Sequence, residues 1–160
     1  MTSTDKPHRG PLVAGDRGFT LLEVMVVVLV IGILLAVGIP TYLGARSRAQ
    51  DKAAQSSLRV GQTTALIIFS DNGDFGEADT TALGTAEPSL TWNNSTTQSD
   101  DDLKISVDSS GTTEWGGAAM SDSGTCFYIR VSASGPTRYG SSTSSACTGA
   151  QALLVTDASW

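Results

Sequence analysis

At 160 residues the chain has room for one small domain besides a long helix. Charged residues make up only 16 % of it and the formal net charge is −6, which argues against a general nucleic-acid surface, since that requires basic patches to release counterions. Catalysis lacks its parts as well: the one histidine is His8, no CxxC, HExxH, Walker loop or strand-borne GxGxxG occurs, and the many serines have no paired base in view.

Residues 1–18 form a short polar leader with no apolar segment of its own, and His8 in it reads as solvated. From Phe19 to Ile39 there are 21 residues, of which only Glu23 is charged. About 20 apolar residues rising roughly 1.5 Å each cross a bilayer core of about 30 Å. The stretch has no polar stripe at period 3.6, unlike the core helix of a soluble domain, so it reads as a membrane-crossing helix. A carboxylate in such a helix costs about 2.5–3.5 kcal/mol on insertion scales, less near the interface, and so calls for a cationic partner or a task. A plain alternative is an interfacial Glu favoured by the helix dipole.

Arg17-Gly18-Phe19-Thr20-Leu21-Leu22-Glu23 opening this apolar run resembles the class III signal of the type IV pilin/prepilin family, over roughly residues 10–50. The resemblance implies that prepilin peptidase cuts between Gly18 and Phe19, that Phe19 is N-methylated, and that Glu23 is the assembly carboxylate. Cutting would create an α-ammonium at Phe19 able to neutralise the Glu23 of a neighbouring subunit, and a paired buried charge can fix register. The competing cleavage site is an ordinary secretory one after Ala36-Val37-Gly38, which leaves Glu23 and the Gly18–Phe19 context without a role. Losing residues 1–18 leaves 7 Lys and Arg against 14 Asp and Glu. Lys6, Arg9 and Arg17 precede the span and Arg46, Arg48, Lys52 and Arg59 follow it, so charge count does not orient it. The resemblance implies a single pass of the cytoplasmic membrane with the C-terminal part outside, and an extracellular pilus after assembly.

Gly32, Gly38 and Pro40 punctuate the span, and Pro40 removes one helical hydrogen bond. Composition predicts a weak point here. The resemblance implies a helix break, with Gly32–Pro40 melting to extended chain in a packed filament. Residues 19–40 are thus the membrane and polymerisation half of a helix whose amphipathic half covers 41–69. In that half Ala49, Ala53, Ser57, Val60, Thr64 and Ile67/Ile68 recur at spacings of three and four, predicting a packing face over the last two or three turns. Arg46, Arg48 and Lys52 read as a solvated face or headgroup contacts, with pairing to acidic residues of neighbouring subunits as the alternative.

Residues 70–160 are expected to form an extracellular β-domain. Ser70-Asp71-Asn72-Gly73-Asp74 stops the helix, and Phe75–Pro88 reads as a polar loop. Asp71, Asp74, Glu77 and Asp79 are a weak calcium candidate, because the EF-hand pattern is not met; a solvated acidic loop is the simpler reading, and no cofactor is expected. Strands are predicted at Leu90–Trp92, Leu103–Val107, Thr112–Trp115, Cys126–Ser132 and Gln151–Thr156, with short links that favour an antiparallel sheet covered by the helix, an α+β arrangement. Exported thiols favour pairing, so Cys126 and Cys147 read as a disulfide closing loop 126–147, with two free buried thiols as the alternative. The resemblance likens this loop to the C-terminal disulfide loop of pilins, with Arg138 and Tyr139 exposed near its tip.

The function implied by the resemblance is a structural subunit polymerising into a type IV pilus for adhesion, motility or DNA uptake. Its implied partners are further copies of itself, minor pilins, prepilin peptidase, the pilus assembly platform and the membrane before assembly. The alternatives are a pseudopilin of a type II secretion or competence system and a membrane-anchored domain that never polymerises.

Overall fold

The computed structural model describes residues 18–143 and 146–160; the leader residues 1–17 lie outside the described residues. The chain divides into two compact units, one ending at Pro40 and one running from Thr41 to Trp160. One helix, α1 (Leu21–Asn72, 52 residues), contributes to both and is helical through Gly32, Gly38 and Pro40.

In the second unit, α1 buries Ala54, Ser57, Leu58, Gly61, Thr64 and Ala65. Ser57 and Thr64 belong to the predicted packing face, but Ala49, Val60 and Ile67 are exposed. The true seam is rotated toward Leu58 and Gly61 because bulky rings must approach there: a Cβ on Gly61 would sit 3.3 Å from both Ile105 and Trp92 and 3.4 Å from Trp115. The helix ends three residues later than Phe69, at a left-handed Gly73 (φ 73°) whose N–H donates to the Phe69 carbonyl (2.7 Å).

The segment after Gly73 is more ordered than its composition suggests. Asp74 caps a 3-10 turn (Phe75–Glu77) and Asp79 caps α2 (Thr80–Ala86). Phe75 is buried and stacks on Phe69, centroids 4.3 Å apart.

Five strands follow, β1 (Thr91–Asn93), β2 (Lys104–Asp108), β3 (Glu114–Met120), β4 (Cys126–Ser132) and β5 (Arg138–Ser142), in spatial order β1-β2-β3-β4-β5. The sheet is antiparallel except for the parallel β1–β2 pair. A parallel neighbour needs a crossover rather than a hairpin. Residues 94–103 provide it, with the Ser99 N–H on the Cys147 carbonyl and Ser106 Oγ donating to the Asn94 carbonyl. β3 extends beyond Trp115 through Gly116-Gly117-Ala118-Ala119, and a Cβ on Gly116 would lie 2.8 Å from the Gly149 carbonyl oxygen. Glycine therefore marks close packing here rather than a break.

The sheet is covered on both faces. One face joins α1 in a core of Leu58, Ile105, Trp115, Phe127 and Ile129; the other holds Ala118, Tyr128, Ala152 and the disulfide. The strand expected at Gln151–Thr156 is instead a short helix, α3 (Gly149–Ala152), followed by turns and a single bridge between Tyr139 and Asp157. Thr148 caps α3, and Gly149 lies flat on β2, where a Cβ would fall 2.3 Å from the Val107 carbonyl carbon. The apolar run Ala152–Val155 is spent on covering the sheet, not on extending it.

Candidate assembly surface

The first unit presents an amino-terminal cap followed by an uncovered apolar rod. Thr20 begins α1: its carbonyl accepts from the Glu23 and Val24 N–H groups (3.1 and 3.3 Å), and its Oγ1 also accepts from the Glu23 N–H (3.2 Å). Thr20-x-x-Glu23 has the spacing of a capping box, so Glu23 occupies the third helical position. This device was legible as a Thr three residues before a Glu, and it gives Glu23 a local place next to the positive end of the helix dipole. Gly18 and Phe19 are exposed, Phe19 at 81 %. An 18-residue window of α1 has a mean hydropathy of 3.0 and no buried residue. Nothing in the described residues lies within 4 Å of a Cβ placed on Gly32 or Gly38, so both open shallow notches where another helix can approach.

In the second unit the predicted disulfide is present: Cys126 and Cys147, fully buried, have Cα atoms 5.6 Å apart. Beside it, the Tyr128 hydroxyl donates to the Ala146 carbonyl (3.0 Å), and burial pushes its pKa above the ordinary tyrosine value. Arg138 and Tyr139 are not at an exposed loop tip as expected. They form β5 and are half-buried, because Arg138 Nη1 donates to the Thr156 carbonyl and the Tyr139 ring meets Trp160 edge-on at 4.7 Å. Trp160 is tied down from three sides. Its Nε1 donates to the Tyr128 carbonyl (2.9 Å), Phe127 meets its ring edge-on, and the Arg59 guanidinium lies 5.1 Å from its centroid.

The four carboxylates of residues 71–79 are not gathered into one site. Asp74 Oδ1 accepts from the Gly76 N–H (2.6 Å), while Asp79 Oδ1 accepts from Thr81 and Ala82 (2.9 and 2.8 Å). Asp71 and Glu77 are exposed, and among the described residues no three His, Cys, Asp or Glu side chains form a group able to hold a metal ion.

Charge elsewhere in this unit is segregated. Lys104 pairs with Asp100 (2.6 Å) and Arg130 with Glu114 (2.5 Å), whereas Arg46, Arg48, Lys52 and Arg59 of α1 form no ion pair among the described residues. Asp51, the carboxylate among them, accepts hydrogen bonds from Ser121 Oγ (2.9 Å) and Ser123 Oγ, which fixes the β3–β4 turn to the helix. Sequence spacing gave no sign of this anchor across some 70 residues. On the same turn Asp122 accepts from Gln50 Nε2 (3.4 Å). Desolvation first, then the neighbouring Asp101 and the charge of Asp122, push the Asp102 pKa above the ordinary aspartate value.

The described residues thus comprise a capped, uncovered helical stretch long and apolar enough to cross a membrane and a disulfide-closed α+β unit. Residues 14–39 match the family model of the prokaryotic N-terminal methylation motif. The chain is 36 % identical over 62 residues to the type IV major pilin protein PilA of Myxococcus xanthus, covering 39 % of this chain and 28 % of PilA. It is 38 % identical over 74 residues to the type IV major pilin protein PilE of Neisseria gonorrhoeae, covering 46 % of this chain and 44 % of PilE. The type II secretion system core protein G of Escherichia coli is 38 % identical over 69 residues, covering 43 % of this chain and 41 % of that protein. The chain thus spans less than half the length of each of these relatives. No solved structure matches it. Residues 14–39 thus carry the N-terminal methylation motif, and over part of its length the chain is similar to type IV pilins.

Proposed function

We propose that this chain is a pilin, a structural subunit that polymerises through the apolar half of α1 into a surface filament. The observation that carries the reading is the rod from Val24 to Ile39, whose large apolar side chains are all about half exposed or more, following a capped Glu23. A surface of this size requires a bilayer before assembly and sister helices after it. The match to major pilins supports the same role. In this reading prepilin peptidase cuts between Gly18 and Phe19, Phe19 is methylated, and its α-ammonium meets the Glu23 of a neighbouring subunit. Gly32 and Pro40 bound the stretch that loses helical hydrogen bonds as the filament packs, minor pilins and an assembly platform are further partners, and the role is structural rather than catalytic.

A second reading rests on one finding, the match to a type II secretion system core protein: a pseudopilin with the same assembly chemistry, confined to the cell envelope. Intact mass and N-terminal peptide mapping of filaments sheared from native cells decide between them. A chain beginning at methylated Phe19 and abundant in sheared filaments supports the pilin. The same processed chain found only in the envelope supports the pseudopilin, and an uncut Gly18–Phe19 bond refutes both.

A further inference from the structure

Three cations of α1 lie along one line of the helix. At about 100° per residue, Arg48, Lys52 and Arg59 fall within roughly 40° of one another, so they form a single basic stripe. All three are exposed. Lys52 Nζ donates to Gln55 Oε1 (2.8 Å) and Arg59 stacks on Trp160, contacts that orient both groups but leave their charge uncompensated. The opposite charge is gathered elsewhere: Asp101 and Asp102 lie in the β1–β2 crossover, which Ser99 Oγ ties to the end of β3 by accepting from the Met120 N–H (2.8 Å) and donating to the Asp101 carbonyl (3.0 Å), and Asp122 on the β3–β4 turn that follows reaches Gln50. Gln50 is about 160–180° round the helix from each member of the stripe. The two patches therefore point away from each other and cannot neutralise one another within one subunit.

We propose that the Arg48–Lys52–Arg59 stripe of one copy docks on the Asp101–Asp102–Asp122 patch of a second copy. Two complementary but non-overlapping surfaces on one chain make a heterologous, head-to-tail contact, which propagates into an open filament rather than closing as a dimer. Exposed pairs are individually weak, so the contact selects register and orientation while the apolar helices supply adhesion. The proposal rests on the pilin reading for the filament, but the docking itself is testable in the membrane as well.

The test uses the chain's own residues. Lys52 and Lys104 are the only lysines after the leader, so a carbodiimide, which joins an amine to a carboxylate at contact distance, has few amines to use. Native cells grown as a mixture of light- and heavy-nitrogen cultures, with shared filaments re-formed after mixing, are not needed; co-expression of two epitope-tagged copies in one cell labels the two sides. Carbodiimide is applied to whole cells, and cross-linked peptides are mapped from both the sheared and the membrane fractions. The Lys104–Asp100 pair, 2.6 Å apart within one chain, is the internal control for the chemistry. The expected result is a Lys52-to-Asp101 or Lys52-to-Asp102 peptide in a dimer carrying both tags. Lys52→Glu should lower sheared filament yield about tenfold by setting like charges opposite each other, and Asp101→Lys in the same chain should restore most of it. The control link without any intermolecular Lys52 link overturns the docking, even if wild-type filaments are normal. A Lys52→Glu chain that assembles normally overturns it too, as does a defect that Asp101→Lys fails to relieve. Lys52→Glu that only loosens membrane association, with no intermolecular link, assigns the stripe to anionic headgroups instead. Filament loss in the wild type with the Lys52 link retained in the membrane counts against the pilin reading and not against the docking.

Discussion

Residues 21–39 and 54–65 belong to one helix and differ in nearly everything that a helix can bury. Val28 and Leu34 are more than 60 % exposed, while Ala54, Leu58 and Ala65 are completely covered by the second unit. Backbone hydrogen bonding and a Thr20 cap suffice to make the first half helical, but they provide no cover for its side chains. The second half has its partner in the same chain; the first has none among the described residues. Continuous secondary structure therefore says nothing about where the stabilising burial resides, and substitutions in the two halves should separate cleanly into assembly defects and folding defects.

The largest effect belongs to Glu23. In the proposed filament, Glu23→Ala leaves the Phe19 ammonium of a neighbour unpaired in an apolar core, a loss of about 3–5 kcal/mol per contact for a broken buried pair. Membrane insertion should be unimpaired, because an intramembrane carboxylate opposes insertion. Processed chain should accumulate in the membrane fraction while sheared filaments disappear, as quantified by blotting both fractions. Normal filament yield would remove Glu23 from the assembly contact.

Leu58→Ala and Val28→Ala sharpen the contrast between the two halves. Emptying the Leu58 site should destabilise the second unit by about 2–5 kcal/mol, whereas Val28→Ala should leave that unit within about 0.5 kcal/mol of wild type. All three tryptophans, Trp92, Trp115 and Trp160, lie in the second unit, so denaturant unfolding of the detergent-solubilised chain followed by fluorescence reports on it alone. A comparable loss from Val28→Ala would mean that the first half is covered after all.

Cys147→Ser comes next. Closing a loop of about 20 residues is worth roughly 3 kcal/mol in the chain-entropy model. The second unit should lose about that much and become protease-sensitive, with membrane anchoring through residues 21–39 unchanged. Proteolysis of intact cells expressing the variant measures both at once.

How much of this was legible in the sequence follows from where each element's stabilisation lies. The helix was legible because an apolar run of this length and an Asn72-Gly73 stop are local signals, and β4 was legible through its alternation in Cys126–Ser132. β5 was not: Arg138-Tyr-Gly-Ser-Ser142 reads as loop, and it becomes a strand by pairing with β4 and by accepting Val155 over Gly140. α3 was misread for a related reason, since Gln151–Val155 is apolar enough for either state and only the close approach of Gly149 to β2 decides. At the assembly surface, Gly18, Phe19 and Glu23 stood out through motif spacing. The Asp51 anchor and the acidic patch at Asp122 depend on contacts between residues about 70 positions apart, which no local pattern encodes.

The smallest effect concerns that patch and tests the uncovered surface of the second unit. Asp102 and Asp100 are near neighbours with opposite shifts: desolvation and the nearby Asp101 and Asp122 raise the first, while the hydrogen bond from Lys104 lowers the second. A carboxyl whose folded pKa is raised opposes folding when ionised, and that penalty is relieved as pH falls through the raised value toward the ordinary one. Asp100 behaves conversely, adding stability above the ordinary aspartate value that is lost as pH falls through its lowered one. Asp102→Asn should therefore raise the unfolding midpoint slightly at neutral pH, and the gain should vanish in acid once the wild-type carboxyl is protonated. Asp100→Asn should lower the midpoint slightly at neutral pH and have no effect in strong acid. Midpoints measured at neutral and acidic pH for the two variants give opposite signs if the patch is organised as described. Equal signs would mean that Asp102 is not crowded by Asp101 and Asp122, and the surface would then lose its concentrated negative charge.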